Sequence, residues 1–202
     1  SWEGEEYLQQ AKEEGILLIT GHVGNWELMG AALAHRGYAI HAIAAPLYDA
    51  RINRWIVHLR ALFRVGTINR GTPSSSRKIL EILRKKEMLA LLIDQDTRVN
   101  GVFVPFFNQK AYTPTGAAQL ALRSSAKTVI AFITRLPDNR HRITIQKPVS
   151  LFRTGDLKEN IEANTALFTS RIEAHIRTYP DQWVWMHARW KTQQPVLSEG
   201  PS

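Results

Sequence analysis

Apolar positions along this chain fall into two kinds of block. Short continuous runs bounded by polar or turn residues read as buried strands, and longer stretches with apolar residues three and four apart read as helices showing one face to a core. The runs predict strands at 16–20, 38–45, 66–69, 88–93, 127–134 and 141–146, the last two joined by a hairpin at Pro137-Asp138-Asn139. The helical spacings predict a polar, acidic helix over 1–14 and further helices over 28–35, 51–64, 74–86, 113–124 and 157–179. Ile52, Trp55, Ile56, Leu59 and Phe63 mark one face of the third, and Ile161, Phe168, Ile172 and Ile176 one face of the last. Asn25 is the natural N-cap of helix 28–35, and Thr113 is read as a cap with Pro114 at the first helical position.

Strands alternate with helices over the first two thirds, which predicts an α/β fold: a layered α/β/α sandwich on a mostly parallel, mixed sheet. No repeat, low-complexity tract or linker interrupts the 202 residues, so one domain over 1–202 is expected. The 44% apolar and 22% charged residues are those of a folded chain, and the absence of cysteine excludes disulfides and thiolate metal sites. No apolar run approaches the roughly 20 residues that cross a bilayer. The net charge of +8 points to an anionic partner: a phospholipid surface, a phosphorylated substrate, an acidic protein or nucleic acid.

In an open α/β sheet, function gathers in the loops at the carboxyl ends of strands. Gly21-His22-Val23-Gly24-Asn25-Trp26-Glu27 occupies such a place, between strand 16–20 and the next helix. The glycine-flanked bend allows the His22 imidazole to fold back onto the Glu27 carboxylate, which would fix its tautomer and make the other nitrogen a base for a hydroxyl proton. Seven His and 18 acidic residues in 202 produce about 0.6 chance matches at this spacing, so position rather than spacing carries the weight. Asp94-Gln95-Asp96 ends strand 88–93; in extended geometry its two carboxylates face one side, where they suit a divalent metal or serve simply as turn formers. Arg60 and Arg64 lie four apart on one helix face and Arg70 follows, offering planar forks for phosphate; the helix start at Thr113-Pro114-Thr115-Gly116 is a possible anion site. Three of the six tryptophans fall between Trp183 and Trp190, interleaved with Arg189 and Lys191, a pattern that fits a headgroup interface or, by default, packing of a terminal segment. There is no Gly-x-Ser-x-Gly elbow, P-loop phosphate motif, Gly-x-Gly-x-x-Gly or His-Glu-x-x-His, so direct attack by a substrate hydroxyl fits better than a covalent acyl-enzyme.

In order, the blocks 21–27, Asp94-Gln95-Asp96 with 101–107, 113–116 and 183–192 resemble the bacterial lipid A biosynthesis acyltransferases, the late lauroyl/myristoyl transferase family, related to lysophospholipid acyltransferases. The resemblance covers about residues 15–192. It implies a glycerol-phosphate-acyltransferase-like fold and transfer of a fatty acyl chain from acyl carrier protein, or acyl-CoA, to a hydroxyl of a lipid A precursor or related glycolipid. The family's His-x4-acid dyad falls on His22 and Glu27, its functional aspartate on Asp94, and its functional arginine on Arg64, with Arg60 and Arg70 as competitors. Asp96, Thr113 and Thr115 join them as substrate-binding candidates. No metal and no cofactor beyond the acyl donor is implied; the implied partners are acyl carrier protein, a phosphorylated glycolipid and the cytoplasmic face of the bacterial inner membrane, with no nucleic acid. Family members usually carry an N-terminal membrane-anchoring helix, and a chain that starts at Ser1 without one reads as beginning at an internal point. Two rival functions fit the residues: a metal-dependent nucleotide-sugar glycosyltransferase using Asp94 and Asp96, and a non-enzymatic module that binds anionic lipid.

Overall fold

The computed structural model describes residues 1–194. Its strands are β1 (Trp2–Glu3), β2 (Ile16–Thr20), β3 (Ile40–Ala44), β4 (Gly66–Asn69), β5 (Met88–Leu92), β6 (Gly101–Phe106), β7 (Gln109–Pro114), β8 (Lys127–Arg135) and β9 (His141–Ile145). Its helices are α1 (Glu5–Ala11), α2 (Trp26–His35), α3 (Ala50–Leu62), α4 (Ser75–Arg84), α5 (Gly116–Arg123) and α6 (Leu157–Thr178). Seven strands form one sheet in the order β1-β9-β8-β2-β5-β3-β4, parallel throughout except where the β8–β9 hairpin pairs antiparallel. β6 and β7 make a separate two-stranded antiparallel ribbon.

The middle strands are buried on both faces, which is why they read as unbroken apolar runs rather than as alternation. The alternation is still present in three dimensions. Leu17 and Ile19 of β2 join Leu89, Leu91, Ile130 and Phe132 under α4, α5 and α6. Leu18, with Met88, Ala90, Val129 and Ala131, joins the opposite cluster under α1 and α2. Helices on both faces of a mostly parallel sheet make the layered α/β fold expected from the pattern.

Two boundaries depart from expectation. The first segment is not one helix: β1 pairs parallel with β9, and Gly4 turns the chain at φ 77° into α1, so Trp2 is held by sheet pairing that no local pattern signals. Thr113 and Pro114 do not start a helix. They complete β7, opposite Val102 and Gly101, and α5 begins one residue after Thr115, which is its N-cap. Pairing with β6 overrides the local cap chemistry there, and proline is tolerated because it closes the ribbon.

His175 on α6 stacks on Phe132 at 4.0 Å between ring centroids, and burial pushes its pKa down to about 4. In the unfolded chain it titrates near 6.5, so between those values only the unfolded state binds the proton and stability falls as pH drops from 6.5 toward 4. Allowing for partial exposure, the loss by pH 4.5 amounts to roughly 1–2 kcal/mol. Denaturant midpoints measured from pH 7 to 4.5 are expected to fall less steeply in His175→Phe than in the wild type; parallel curves would contradict the assignment.

Candidate active site

The register of the sheet builds the centre. β2 and β5 pair in parallel with Thr20 opposite Leu92, so two residues beyond each strand end His22 stands opposite Asp94. Asp94 Oδ1 accepts from His22 Nδ1 at 2.7 Å, while its Oδ2 accepts from the His22 backbone N–H at 2.7 Å and from the Trp183 indole at 2.8 Å. Full burial pushes the Asp94 carboxyl up, but the bonds from the His22 ring, the Trp183 indole and the His22 amide outweigh it and hold the group below the usual carboxylate range. With Nδ1–H committed to Asp94, Nε2 carries the lone pair that can accept a proton.

Two glycines let the loop come this close. A side chain at Gly21 would meet Asp94 Oδ2 at 3.0 Å and Ile172 at 2.9 Å. Gly24 sits at φ 62°, and a side chain there would collide with the Ile133 carbonyl. The C-terminal segment closes the loop from the other side: Gly24 N–H donates to Gln182, Val184 N–H donates to the His22 carbonyl, and Val23 bridges to Trp183.

The carboxylate that orients His22 is therefore Asp94, not Glu27. Asn25 caps α2 as expected, accepting from Leu28 N–H at 2.9 Å, and Glu27 lies in its first turn. The bend, however, brings the Trp26 ring against the imidazole, 4.8 Å away and edge-on, and turns Glu27 toward α3. There Arg60 grips it with both arms of its fork, Nε donating to Oε2 at 2.8 Å and a second N–H to Oε1. Arg60 is thus the arginine tied to Glu27. Arg64, the favoured position, is an exposed residue that ends α3 in a left-handed turn (φ 59°), with its N–H on the Ala61 carbonyl and the Val65 N–H on that of Arg60.

A cavity of about 850 Å³ opens beside His22, within the range that holds a sizeable ligand. Ile43, Ile56, Val57, Ile79, Leu91 and Leu120 supply apolar walls, and Glu27, Arg60, Arg70 and Arg123 carry its charges. Since Glu27 is neutralised by Arg60, Arg70 and Arg123 leave the cavity positive. Thr115 and the uncapped start of α5 also line it, giving backbone amides that suit an anion.

Asp96 and Thr113 lie elsewhere. Both Asp96 oxygens are taken by Thr192, through N–H at 2.8 Å and hydroxyl at 3.0 Å, and Thr113 is buried under Arg189. The side-by-side metal arrangement of Asp94 and Asp96 does not form, and among the described residues no three His, Cys, Asp or Glu converge as metal ligands. The glycosyltransferase alternative loses its geometric basis.

Four residues escape sequence reasoning. Arg123 reaches the cavity from the last turn of α5. Gln95 places its amide between two imidazoles, donating to His22 Nε2 at 3.1 Å and to His187 Nε2. Burial and the neighbouring His22 push the His187 pKa down, keeping it a neutral acceptor. Arg189 is fully buried; it donates to the Tyr112 carbonyl at 2.7 Å and to Thr113 at 2.6 Å, lies over the Phe106 ring, and burial lowers its pKa to about 10. Only the aromatic-basic crowding at 183–191 hints at the last two. That segment divides: Trp183 is buried, while Trp185 and Met186 are exposed.

The chain matches the model of the bacterial lipid A biosynthesis acyltransferases over residues 1–192 and belongs to that family. It is 29% identical over 187 residues to the lipid A biosynthesis lauroyltransferase of Escherichia coli, covering 91% of this chain and 58% of that protein. It is 26% identical over 179 residues to the phosphatidylinositol mannoside acyltransferase of Mycolicibacterium smegmatis, covering 87% and 57%. Similarity to the lipid A biosynthesis acyltransferase of Haemophilus influenzae is 27% over 199 residues, covering 95% and 60%. The chain spans less than two thirds of the length of each of these relatives.

The Glu27–Arg60 pair gives a prediction independent of activity. With the Arg60 side chain 14% exposed, removing Glu27 strands a largely desolvated charge, and removing Arg60 strands a partly buried carboxylate. Glu27→Gln and Arg60→Met should each destabilise the fold, and the double variant should be less harmed than their sum by about 1 kcal/mol or more. Additive losses in a double-mutant cycle of denaturation would show that the pair carries no coupling.

Proposed function

We propose that this chain is an acyltransferase that moves a fatty acyl group from a thioester donor, acyl carrier protein or acyl-CoA, to a hydroxyl of a lipid A precursor or related glycolipid. The observation that carries the reading is the Asp94–His22 pair at the edge of an apolar, arginine-bearing cavity. The relatives are named for lipid A biosynthesis and for a phosphatidylinositol mannoside, so a hydroxyl of an anionic glycolipid is the acceptor class that fits both.

His22 Nε2 takes the proton as the acceptor oxygen attacks the thioester carbon. Asp94 holds the ring and stabilises the imidazolium that forms. The tetrahedral intermediate collapses with cleavage of the carbon–sulfur bond, and the proton passes from Nε2 to the departing thiolate, leaving the new ester and a free thiol. Gln95 occupies the place the hydroxyl needs. Once the hydroxyl displaces it from Nε2, that N–H is free to donate to the oxyanion, while His187 keeps hold of the other N–H. Arg70 and Arg123 receive acceptor phosphates, and the apolar walls take the acyl chain. The net charge of +8 suits an acidic carrier protein and the cytoplasmic face of the bacterial inner membrane.

His22→Ala and Asp94→Asn are expected to fold with reduced stability and to lose roughly 10²–10⁴-fold in kcat, measured by mass spectrometry with labelled acyl carrier protein and a panel of lipid hydroxyl acceptors. Turnover like the wild type in either variant would overturn the mechanism. Gln95→Ala should lower kcat by about 10²-fold with little change in KM; a change confined to KM would make Gln95 a binding group instead.

A further inference from the structure

α3 poses a problem that the site does not answer. None of its 13 residues is buried. Of the 13 large apolar side chains exposed among the described residues, seven fall between positions 47 and 63: Leu47, Tyr48, Ile52, Trp55, Val57, Leu62 and Phe63. Helical geometry at about 100° per residue places Leu62, Trp55, Leu59, Ile52 and Phe63 on one arc roughly 100° wide. Arg51, His58 and Arg54 follow along one margin of that arc. Beyond the other margin, Ile56, Arg60 and Asn53 turn inward to line the cavity. Between positions 45 and 70 there are five arginines and one acid, Asp49, which is already bonded to Arg51.

A soluble face does not carry Trp55 at 62% exposure and Leu62 at 64% without a partner. Apolar rings on one arc, arginine on its border and no carboxylate within the helix are the composition of a helix that lies in the plane of an anionic membrane surface. With 13 residues α3 is too short to cross a bilayer, which takes about 20, so its attachment would lie along the surface. An acidic protein would satisfy the arginines but leave the tryptophan and phenylalanine in water, and a second copy of this face would bring arginine against arginine.

We propose that the outer face of α3, with Leu47 and Tyr48, docks this chain on an anionic phospholipid bilayer, inserting Trp55, Leu62 and Phe63 among the acyl chains while Arg51, Arg54 and His58 meet the headgroups. Because the same helix walls the cavity on its inner side, docking sets the cavity beside the bilayer and gives lipid a short path to His22. The inference deepens the function proposed above by naming the surface from which its lipid substrate comes. Its test uses no acyl donor, so the two can fail separately.

The test is sedimentation with vesicles of phosphatidylcholine alone or with phosphatidylglycerol, for the wild type and for Trp55→Ser/Leu62→Ser/Phe63→Ser, combined with tryptophan quenching by brominated phospholipid. These side chains line no cavity and are each more than half exposed, so the variant is expected to fold; Trp55→Ser alone serves as a milder second probe. The wild type should bind phosphatidylglycerol vesicles in a salt-sensitive manner, the triple variant at least tenfold more weakly, and Trp55→Ser should remove most of the quenching. Vesicle binding equal to the wild type in the triple variant, or quenching unchanged by Trp55→Ser, would overturn the proposal. So would a wild type that ignores vesicles but forms a dimer, or captures acyl carrier protein, through this face.

Discussion

A single buried carboxylate holds the centre of this molecule together. Asp94 accepts from the ring and the backbone amide of His22 and from the indole of Trp183, joining three segments that are far apart in the chain. Burying an ionised carboxylate is costly, and only this full set of donors makes it tolerable. The same bonds that offset the burial select the His22 tautomer. Removing any one of the three donors therefore acts on both stability and chemistry.

The neighbouring ion pair does a different task. Glu27 and Arg60 join α2 to α3 across the mouth of the cavity. Without that link, α3 would be held chiefly by its own turns and its contacts with β4, because it buries no side chain of its own. A carboxylate five residues from a histidine is thus better understood here as a brace for the wall than as the partner of the base.

The α/β layering was legible because buried parallel strands and amphipathic helices write different periods into the chain, and the glycine-flanked bend at His22 was legible because backbone so close to a carboxylate leaves no room for a side chain. Pairings distant in sequence were not. The choice between Glu27 and Asp94 depends on strand register, which brings positions 22 and 94 together and which no local spacing encodes. Thr113 was misplaced for a related reason, since ribbon pairing with Val102 outweighed a good local cap sequence. Arg189 sat in a stretch that fitted a headgroup interface or a packed terminal segment alike; it is buried, and its partners lie 76 and 77 residues away.

The strap formed by residues 183–192 has a consequence for how the protein is made. It supplies the indole to Asp94, His187 to Gln95, Arg189 to the ribbon and Thr192 to Asp96, across sequence separations of 76 to 96 residues. During synthesis these contacts form late, because residues 183–192 follow every strand of the sheet in the chain. On the ribosome, β2 and β5 can pair and bring His22 to Asp94 well before the strap emerges. The site is then assembled in outline but still open, and it closes only when residues 183–192 have emerged. Closure around His22 is in this way coupled to the emergence of the strap.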